Sequence, residues 1–266
     1  DAIGEVDQAE TIFRMVLETD DENVAALKAL DAIYVAAGRL EELEPILVRE
    51  AAVAEYDEER VKLLVRLAEL YLQVGERQDA VSAYCDVLDL NDMHIPTLKA
   101  LETIYREDGA HESLFEILEK LANTAGNDND RAGYTADMAR LAQSTLNRPE
   151  AAVDLWEDVL MVSPQNVGAV QELQELLQEL EKWEPLAEAY ERELRMEQAD
   201  DERALTLYRA LGRLWQGLLE DGHQAQNHWE KARDVSPQFD AEIYEALREL
   251  YRENFVLEGL ASMLVA

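Results

Sequence analysis

Histidine is the residue type whose ordinary pKa lies closest to neutrality, so the histidines are the first candidates for acid–base or metal chemistry. They stand at His94, His111, His223 and His228. His223 and His228 are five residues apart, which places them on different sides of a helix. No HExxH pattern and no mixed His/Cys ligand set accompanies them. The spacing predicts surface or boundary histidines rather than a catalytic or metal site.

Clusters of acidic residues recur in front of three segments with helical periodicity, at residues 57–60, 128–131 and 200–203. Carboxylates bind hard cations such as Ca²⁺, but an EF-hand loop beginning at Asp128 would need a bidentate Glu where Ala139 stands. Asp or Asn at a helix start accepts hydrogen bonds from free backbone N–H groups, and its negative charge suits the helix dipole. Because the cluster recurs at equivalent boundaries, the sequence favours helix capping over metal binding.

Patterns typical of common catalytic sites are missing from the sequence, which contains no GxGxxG, no P-loop and no GxSxG. Carboxylate pairs are frequent, but their spacing does not distinguish a glycosidase-like pair from a solvated helix face. The sequence therefore predicts a protein that is not an enzyme and that has no cofactor and no metal site.

The 266 residues carry a net charge of −34, from 58 Asp and Glu against 24 Lys and Arg. Such a chain repels phosphate backbones and anionic membrane surfaces, so we expect no nucleic-acid partner and no membrane insertion. The single Cys85 excludes an internal disulfide. The acidity is typical of a solvated surface, and a basic protein partner or a saline habitat would also explain it. We expect a soluble protein, with the cytoplasm favoured over the periplasm or the cell exterior.

An internal repeat in the sequence predicts the helices that carry these residues. Alanine recurs at Ala9, Ala80, Ala152 and Ala225, with steps of 71, 72 and 73 residues. An aromatic residue stands four positions after each alanine: Phe13, Tyr84, Trp156 and Trp229. This spacing, within segments of helical apolar periodicity, predicts amphipathic helices. Each period of about 72 residues then holds two helical hairpins, which gives about seven hairpins in the chain.

The two hairpins of a period differ at one position of their first helix, directly after a leucine or methionine. In one hairpin this position holds a small residue: Ala68, Ala139 or Gly212. In the other hairpin it holds a larger polar residue: Asp31, Glu102, Gln174 or Arg248. Helices that cross closely need a small residue at the point of contact, so the packing of the second kind of hairpin is left open.

Residues 60–92 show the repeat most clearly, with Leu67, Ala68 and Tyr71 before Gly75, and Ala80, Tyr84 and Val87 after it. This spacing resembles the tetratricopeptide repeat (TPR) family, whose unit is a helix–turn–helix of about 34 residues. The resemblance implies an all-α, right-handed superhelical solenoid of antiparallel helix hairpins, with residues 1–266 as a single array. The start at Asp1 and the lack of polar capping units predict a segment of a longer array, or ends that stack on another subunit.

In TPR proteins the first helices of successive hairpins line a concave groove, and some of these grooves bind a peptide carboxylate through Lys and Asn. That Lys/Asn set is missing here, so an adaptor of this type is not expected. The resemblance instead places a set of basic residues at the groove: Lys99, Arg106, Arg140, Arg209 and Arg213. They would bind an acidic or extended peptide, or else pair with neighbouring Glu residues across hairpins.

The function that the resemblance implies is a non-catalytic scaffold that binds partner proteins or peptides along the solenoid surface. Two alternatives remain open, a structural spacer within a giant repeat protein and a regulatory subunit that docks a single enzyme. The acidic repeat is similar to long bacterial TPR arrays, so a bacterial source is also expected.

Overall fold

The computed structural model describes residues 2–196 and 200–253, with side chains from residue 5 onward, and every regular element in these ranges is an α-helix. The chain divides into two compact units, Asp1–Thr124 and Ala125–Ala266. The helices of the first unit are α1 (Ala2–Thr19), α2 (Val24–Ala37), α3 (Leu40–Val53), α4 (Asp57–Val74), α5 (Arg77–Leu90), α6 (Ile95–Asp108) and α7 (His111–Thr124). Those of the second unit are α8 (Asp128–Ser144), α9 (Pro149–Val162), α10 (Val167–Glu179), α11 (Trp183–Leu194), α12 (Asp201–Gly217), α13 (Gly222–Val235) and α14 (Ala241–Glu253). The all-α class is confirmed.

Consecutive helices pack as hairpins within each unit. We call α4–α5, α8–α9 and α12–α13 the small-residue hairpins, and α2–α3, α6–α7 and α10–α11 the polar-residue hairpins. Inside its unit each helix packs chiefly on the helices before and after it in the chain, which is the packing of a solenoid. A single array over residues 1–266 stays a prediction.

The small-residue hairpins are closely packed where the repeat pairs a small residue with an aromatic ring. Ala68 and Ala139 are fully buried. A Cβ atom added to Gly212 would lie 2.5 Å from Cε2 of Trp229, closer than two carbon atoms can approach. The two helices of each polar-residue hairpin pack less extensively on each other. The identity of this one position therefore distinguishes the two kinds of hairpin in the structure.

The larger polar residues of the second kind of hairpin find partners. Asp31 accepts hydrogen bonds from Arg66 of α4 at 2.6 and 2.9 Å. Gln174 is buried and donates to the backbone oxygen of Ala189 at 3.2 Å. These contacts satisfy polar groups that a small residue would not bring into the hairpin.

Backbone geometry at the turns inside hairpins differs between the units. Gly38 and Gly75 of the first unit have φ angles of 66° and 87°, in the left-handed region that glycine adopts without steric cost. Glu181 and Glu220 stand at the equivalent turns of the second unit, and each has a φ of 54°. The second unit therefore places glutamate where L-residues are strained.

The recurring acidic clusters lie at helix starts, as predicted. Asp200 is the N-cap of α12, where its side chain accepts a hydrogen bond from the backbone N–H of Arg203 at 2.8 Å. Asn127 caps α8 in the same way, while Asp57 is the first residue of α4. The capping interpretation is confirmed at α12, and the acids of the other two clusters lie in the first turn, where they suit the helix dipole.

Candidate protein-binding surface

The basic residues predicted to bind a partner lie on three different helices. Lys99 and Arg106 are on α6 of the first unit, and Arg140, Arg209 and Arg213 are on α8 and α12 of the second. Lys99 and Arg106 are seven residues apart, so they share one face of α6 about 10 Å apart along its axis. Lys99 is exposed, whereas Arg106 forms an ion pair with Glu102 at 3.0 Å.

Arg140 lines a cleft of about 490 Å³ together with Ala136 of the same helix. Its guanidinium forms an ion pair with Asp137 at 3.0 Å and lies 5.4 Å from the ring centroid of Trp156. A cation above an aromatic ring is attracted to the negative face of the ring. Arg140 is thus held in place by its own unit at the edge of an open cleft.

Arg209 and Arg213 of α12 pair with acids at the start of α14. Arg209 forms an ion pair with Asp240, and Arg213 donates to both carboxylate oxygens of Glu242 at 2.6 and 2.7 Å. The hydrogen bond from Arg213 lowers the pKa of Glu242. The structure therefore shows these two arginines in the pairing across hairpins that the sequence offered as the alternative to peptide binding. Partner binding by the five basic residues stays a prediction.

A larger cleft, of about 630 Å³, lies between α3 and α5, with α4 below it. We call it the α3–α5 cleft. Its floor is made of apolar side chains, among them Leu64 and Leu67 of α4 and Ala83 of α5. Val48 of α3 stands at its rim with 43% of its surface exposed. Sequence periodicity did not reveal this cleft, because Leu64, Leu67 and Ala83 have the spacing of ordinary core residues.

Three aspartates of α5 line the same cleft: Asp79, Asp86 and Asp89. We call them the α5 aspartates. All three are exposed, and within the described residues none of them has an ion pair or a hydrogen bond through its side chain. Arg60 also lines the cleft, but it donates to the backbone oxygens of Ala51 and Ala54 at 3.1 and 3.2 Å. The wall of the cleft formed by α5 therefore carries negative charge that the chain does not neutralise.

The equivalent region of the second unit is filled by the chain's own side chains. The repeat aligns Leu64 and Ala83 with Tyr208 and His228. His228 is only 2% exposed, and its Nε2 atom lies 3.6 Å from a carboxylate oxygen of Glu191. Its ring centroid lies 6.3 Å from that of Tyr208, and burial lowers the pKa of the imidazole. The prediction that all four histidines are surface or boundary residues was therefore wrong for His228.

A third cleft, of about 420 Å³, lies between α1 and α3 in the first unit. Its lining contains both Arg14 and Arg49 and several glutamates. Arg14 forms an ion pair with Glu10 at 2.9 Å. Charge in this cleft is mixed and partly neutralised, unlike the charge on the α5 wall.

Two glutamates are buried at equivalent positions of α3 and α11. Glu193 is 2% exposed and accepts hydrogen bonds from Arg203 at 2.8 and 2.9 Å, from Gln174 at 2.8 Å and from Gln171 at 3.1 Å. Burial raises the pKa of Glu193, but these hydrogen bonds outweigh burial and the net pKa is lowered. Glu193 is thus an ionised residue that ties α10, α11 and α12 together.

Glu50, the equivalent of Glu193 in the first unit, is 4% exposed, and its Oε1 atom has no hydrogen-bond partner. Burial, with a further contribution from Asp31, raises its pKa to about 7. A perturbed carboxyl group can mark a catalytic site, but Glu50 does not line any of the three clefts described above. Among the described residues, no group of three or more His, Cys, Asp or Glu side chains is placed to hold a metal ion.

The family comparison falls on the most regular hairpin of the chain. Residues 63–92, which cover most of α4 and all of α5, match the family model of the tetratricopeptide repeat. This hairpin is a tetratricopeptide repeat. The match falls on a small-residue hairpin, the kind in which the TPR pattern was recognised in the sequence. Proteins of this family generally bind other proteins or peptides. No curated protein matches the chain in sequence.

Solved TPR structures resemble the chain at low sequence identity. The C-terminal part of a TPR repeat-containing protein from Cytophaga hutchinsonii is 9% identical with a TM-score of 0.40, over 91% of this chain and 95% of that one. A tetratricopeptide repeat protein from Parabacteroides merdae is 16% identical with a TM-score of 0.39, over 94% and 93%. YrrB, described as a TPR protein with an unusual peptide-binding site, is 14% identical with a TM-score of 0.38, over 70% and 90%. None of the described helices is long and apolar enough to cross a membrane.

Proposed function

We propose that this TPR protein is a non-catalytic scaffold that binds partner proteins on the surfaces of its hairpins. The observation that carries the proposal is the α3–α5 cleft, which is open, has an apolar floor and bears uncompensated charge on one wall. A preformed surface of this kind binds a partner with little cost in ordering the chain. The perturbed carboxyl groups Glu50 and Glu193 lie inside the hairpins, away from that surface, which supports structural rather than catalytic roles for them.

The proposal also includes a second surface on α6 for an acidic or extended peptide. Lys99 is exposed there, beside Arg106, and no ion pair or hydrogen bond of its side chain is found among the described residues. Lys99→Glu should therefore weaken capture of an acidic partner without disturbing a contact of the folded chain. Capture that is unchanged by Lys99→Glu would contradict this second surface.

The scaffold function is tested by capture with the full chain. The purified protein is immobilised, exposed to lysate of its source cells and washed at low and at high salt, and bound proteins are identified by mass spectrometry. An unrelated protein of similar net charge serves as the control, since salt screens non-specific attraction. Each protein retained only by the TPR chain is then purified and its Kd measured. A chain that retains nothing beyond the control would favour the structural spacer instead.

A further inference from the structure

We infer that the α3–α5 cleft binds an amphipathic helix of a partner protein, in which lysines or arginines border an apolar stripe. This inference rests on the proposed scaffold function and specifies the partner of one surface. It is based on the shape of the cleft, its apolar floor and the negative charge of the α5 aspartates. The same region of the second unit, which is filled by the chain's own side chains, supplies a comparison.

The shape of the cleft suits a helix. Its walls α3 and α5 each have 14 residues, which corresponds to about 21 Å of helix. Both are second helices of successive hairpins, so they run in the same direction, and α4 closes the bottom between them. A helix bound in such a groove contacts both walls and the floor along several turns.

The floor and the α3 rim specify an apolar stripe on the bound helix. Leu64 and Leu67 lie at the bottom of the cleft, and Val48 and Ala52 are exposed on the α3 side. Covering these side chains removes apolar surface from water, which is the main favourable term in association. A highly charged peptide without an apolar face would leave this surface uncovered.

The α5 aspartates specify basic residues at the border of that stripe. Asp79, Asp86 and Asp89 lie along one face of α5, with Asp86 about 10 Å and Asp89 about 15 Å from Asp79 along the axis. Lysines or arginines spaced by two to three turns on a bound helix would reach them. The net charge of −34 would also attract a basic partner at long range, most strongly at low salt.

The second unit shows that this cleft is not an unavoidable result of stacking TPR hairpins. There Tyr208 and His228 fill the space beside Glu191, and Lys231 takes the place of Asp86. Lys231 lies 5.9 Å from the ring centroid of Tyr208, so a cation of the chain itself occupies this region. In the second unit the chain's own side chains supply both the apolar contact and the positive charge. In the first unit these two contributions are left for a partner to supply.

The inference is tested with a fluorescein-labelled peptide of Leu, Ala and Lys, about 18 residues long, with leucines on one helical face and lysines at its borders. Its Kd for the full chain is measured by fluorescence anisotropy, beside a scrambled peptide of the same composition. Two variants that each remove three negative charges are compared. The cleft variant carries Asp79→Asn, Asp86→Asn and Asp89→Asn. The matched control carries Glu119→Gln, Glu175→Gln and Glu179→Gln, at exposed positions of α7 and α10.

We expect saturable binding of the amphipathic peptide, weakened about tenfold in the cleft variant and by less than about twofold in the control variant. Equal weakening in both variants, binding of the scrambled peptide with similar Kd, or no binding to the unaltered chain would each overturn the inference. Circular dichroism of both variants verifies that the helices remain folded.

The same two variants separate this inference from the scaffold function itself. If both capture the partners retained by the unaltered chain equally well, the scaffold function stands and the assignment of the cleft is wrong. If the unaltered chain captures no partner, the scaffold function is wrong. Loss of a partner in the cleft variant alone supports both.

Discussion

Glu50 and Glu193 occupy the same position in the second helix of a polar-residue hairpin, but their surroundings are opposite. Three side chains donate to Glu193, whereas Oε1 of Glu50 receives no hydrogen bond. The repeat aligns Gln171 and Gln174 with Lys28 and Asp31 of the first unit, and the acidic clusters before the two helices end at Arg203 and at Arg60. One unit therefore stabilises the ionised carboxylate, and the other stabilises the protonated carboxylic acid.

None of these three side chains of the first unit donates to Glu50. Lys28 forms an ion pair with Glu59 at 2.8 Å, and Asp31 pairs with Arg66. Arg60 donates to backbone oxygens at the end of α3. The hairpin backbone therefore buries the glutamate at this position in both units, and the neighbouring side chains determine whether its carboxyl group is ionised. The two units keep the same hairpin backbone at this position but surround it with different polar side chains.

Removal of Arg203 should give the largest effect, because it leaves the buried Glu193 without its cation. We expect Arg203→Met to lower the free energy of unfolding by about 3 kcal/mol, the lower end of the range for breaking a buried ion pair, because the Arg203 side chain is itself partly exposed. Urea unfolding of the full chain at pH 7.5 measures the change. The matched variant Arg60→Met loses only two hydrogen bonds to backbone oxygens, so we expect a loss of about 1 to 2 kcal/mol. Equal losses of stability in the two variants would show that the ion pair with Arg203 is not needed to bury the Glu193 carboxylate.

Substitution of the two glutamates should change stability in opposite directions at neutral to alkaline pH. The pKa of Glu50 rises from 4.5 to about 7 on folding, so the folded state holds an extra proton between these values and loses stability as pH rises. The resulting cost above pH 7 is up to about 3 kcal/mol. Glu50→Gln should remove it, which gives a variant that matches the unaltered chain near pH 4.5 and exceeds its stability at pH 8.

Glu193→Gln is the control for this pH dependence. The lowered pKa of Glu193 stabilises the folded state above pH 4.5, and that stability is lost as pH falls through the folded pKa. We therefore expect Glu193→Gln to destabilise the protein at pH 8. Thermal unfolding from pH 4.5 to 8.5 measures both variants. A Tm of Glu50→Gln that runs parallel to that of the unaltered chain would refute the assignment of the Glu50 pKa.

The small-residue hairpins extend the comparison to packing. Gly212→Ala would bring a methyl group against the ring of Trp229, and we expect a loss of about 2 kcal/mol from overpacking. In the first unit the repeat has the smaller ring of Tyr84 in place of Trp229, so Ala68→Gly should cost only about 1 kcal/mol, mainly through helix propensity. Urea midpoints compare the two variants. A Gly212→Ala protein as stable as the unaltered chain would show that Trp229 can shift without cost.

Much of this architecture could be predicted from the sequence, because it depends on contacts between residues close in the chain. The recurrence of Ala80 and Tyr84 as Ala225 and Trp229 predicts hairpins and their close contact, which the structure contains. Helix periodicity determines such contacts almost alone. The family match over residues 63–92 falls on the hairpin in which that pattern is clearest.

The surface could not be predicted in the same way, because its charges pair over long distances in the chain. Arg213 is 29 residues from Glu242, and the sequence offered both pairing and peptide binding for it. In the same way, His228 is buried beside Tyr208, which lies twenty positions earlier in the chain on another helix. The α3–α5 cleft results from small or apolar residues at positions that larger side chains fill in the second unit, and no periodic pattern in the sequence marks these positions as a cleft.

Substitutions in the turns inside the hairpins should change the free energy of unfolding least. Glu220 adopts a φ of 54°, while Gly75 at the equivalent turn has a φ of 87°. Glu220→Gly relieves steric strain but gives the unfolded chain more freedom, so we expect a net gain of about 0.5 to 1 kcal/mol. The reciprocal Gly75→Glu should lose about 1 kcal/mol. Urea midpoints that move in the same direction for both variants would contradict backbone strain at Glu220. Midpoints that move in opposite directions would show that glycine is the more stable residue at this turn in both units, so that the second unit carries a strain that the first unit avoids.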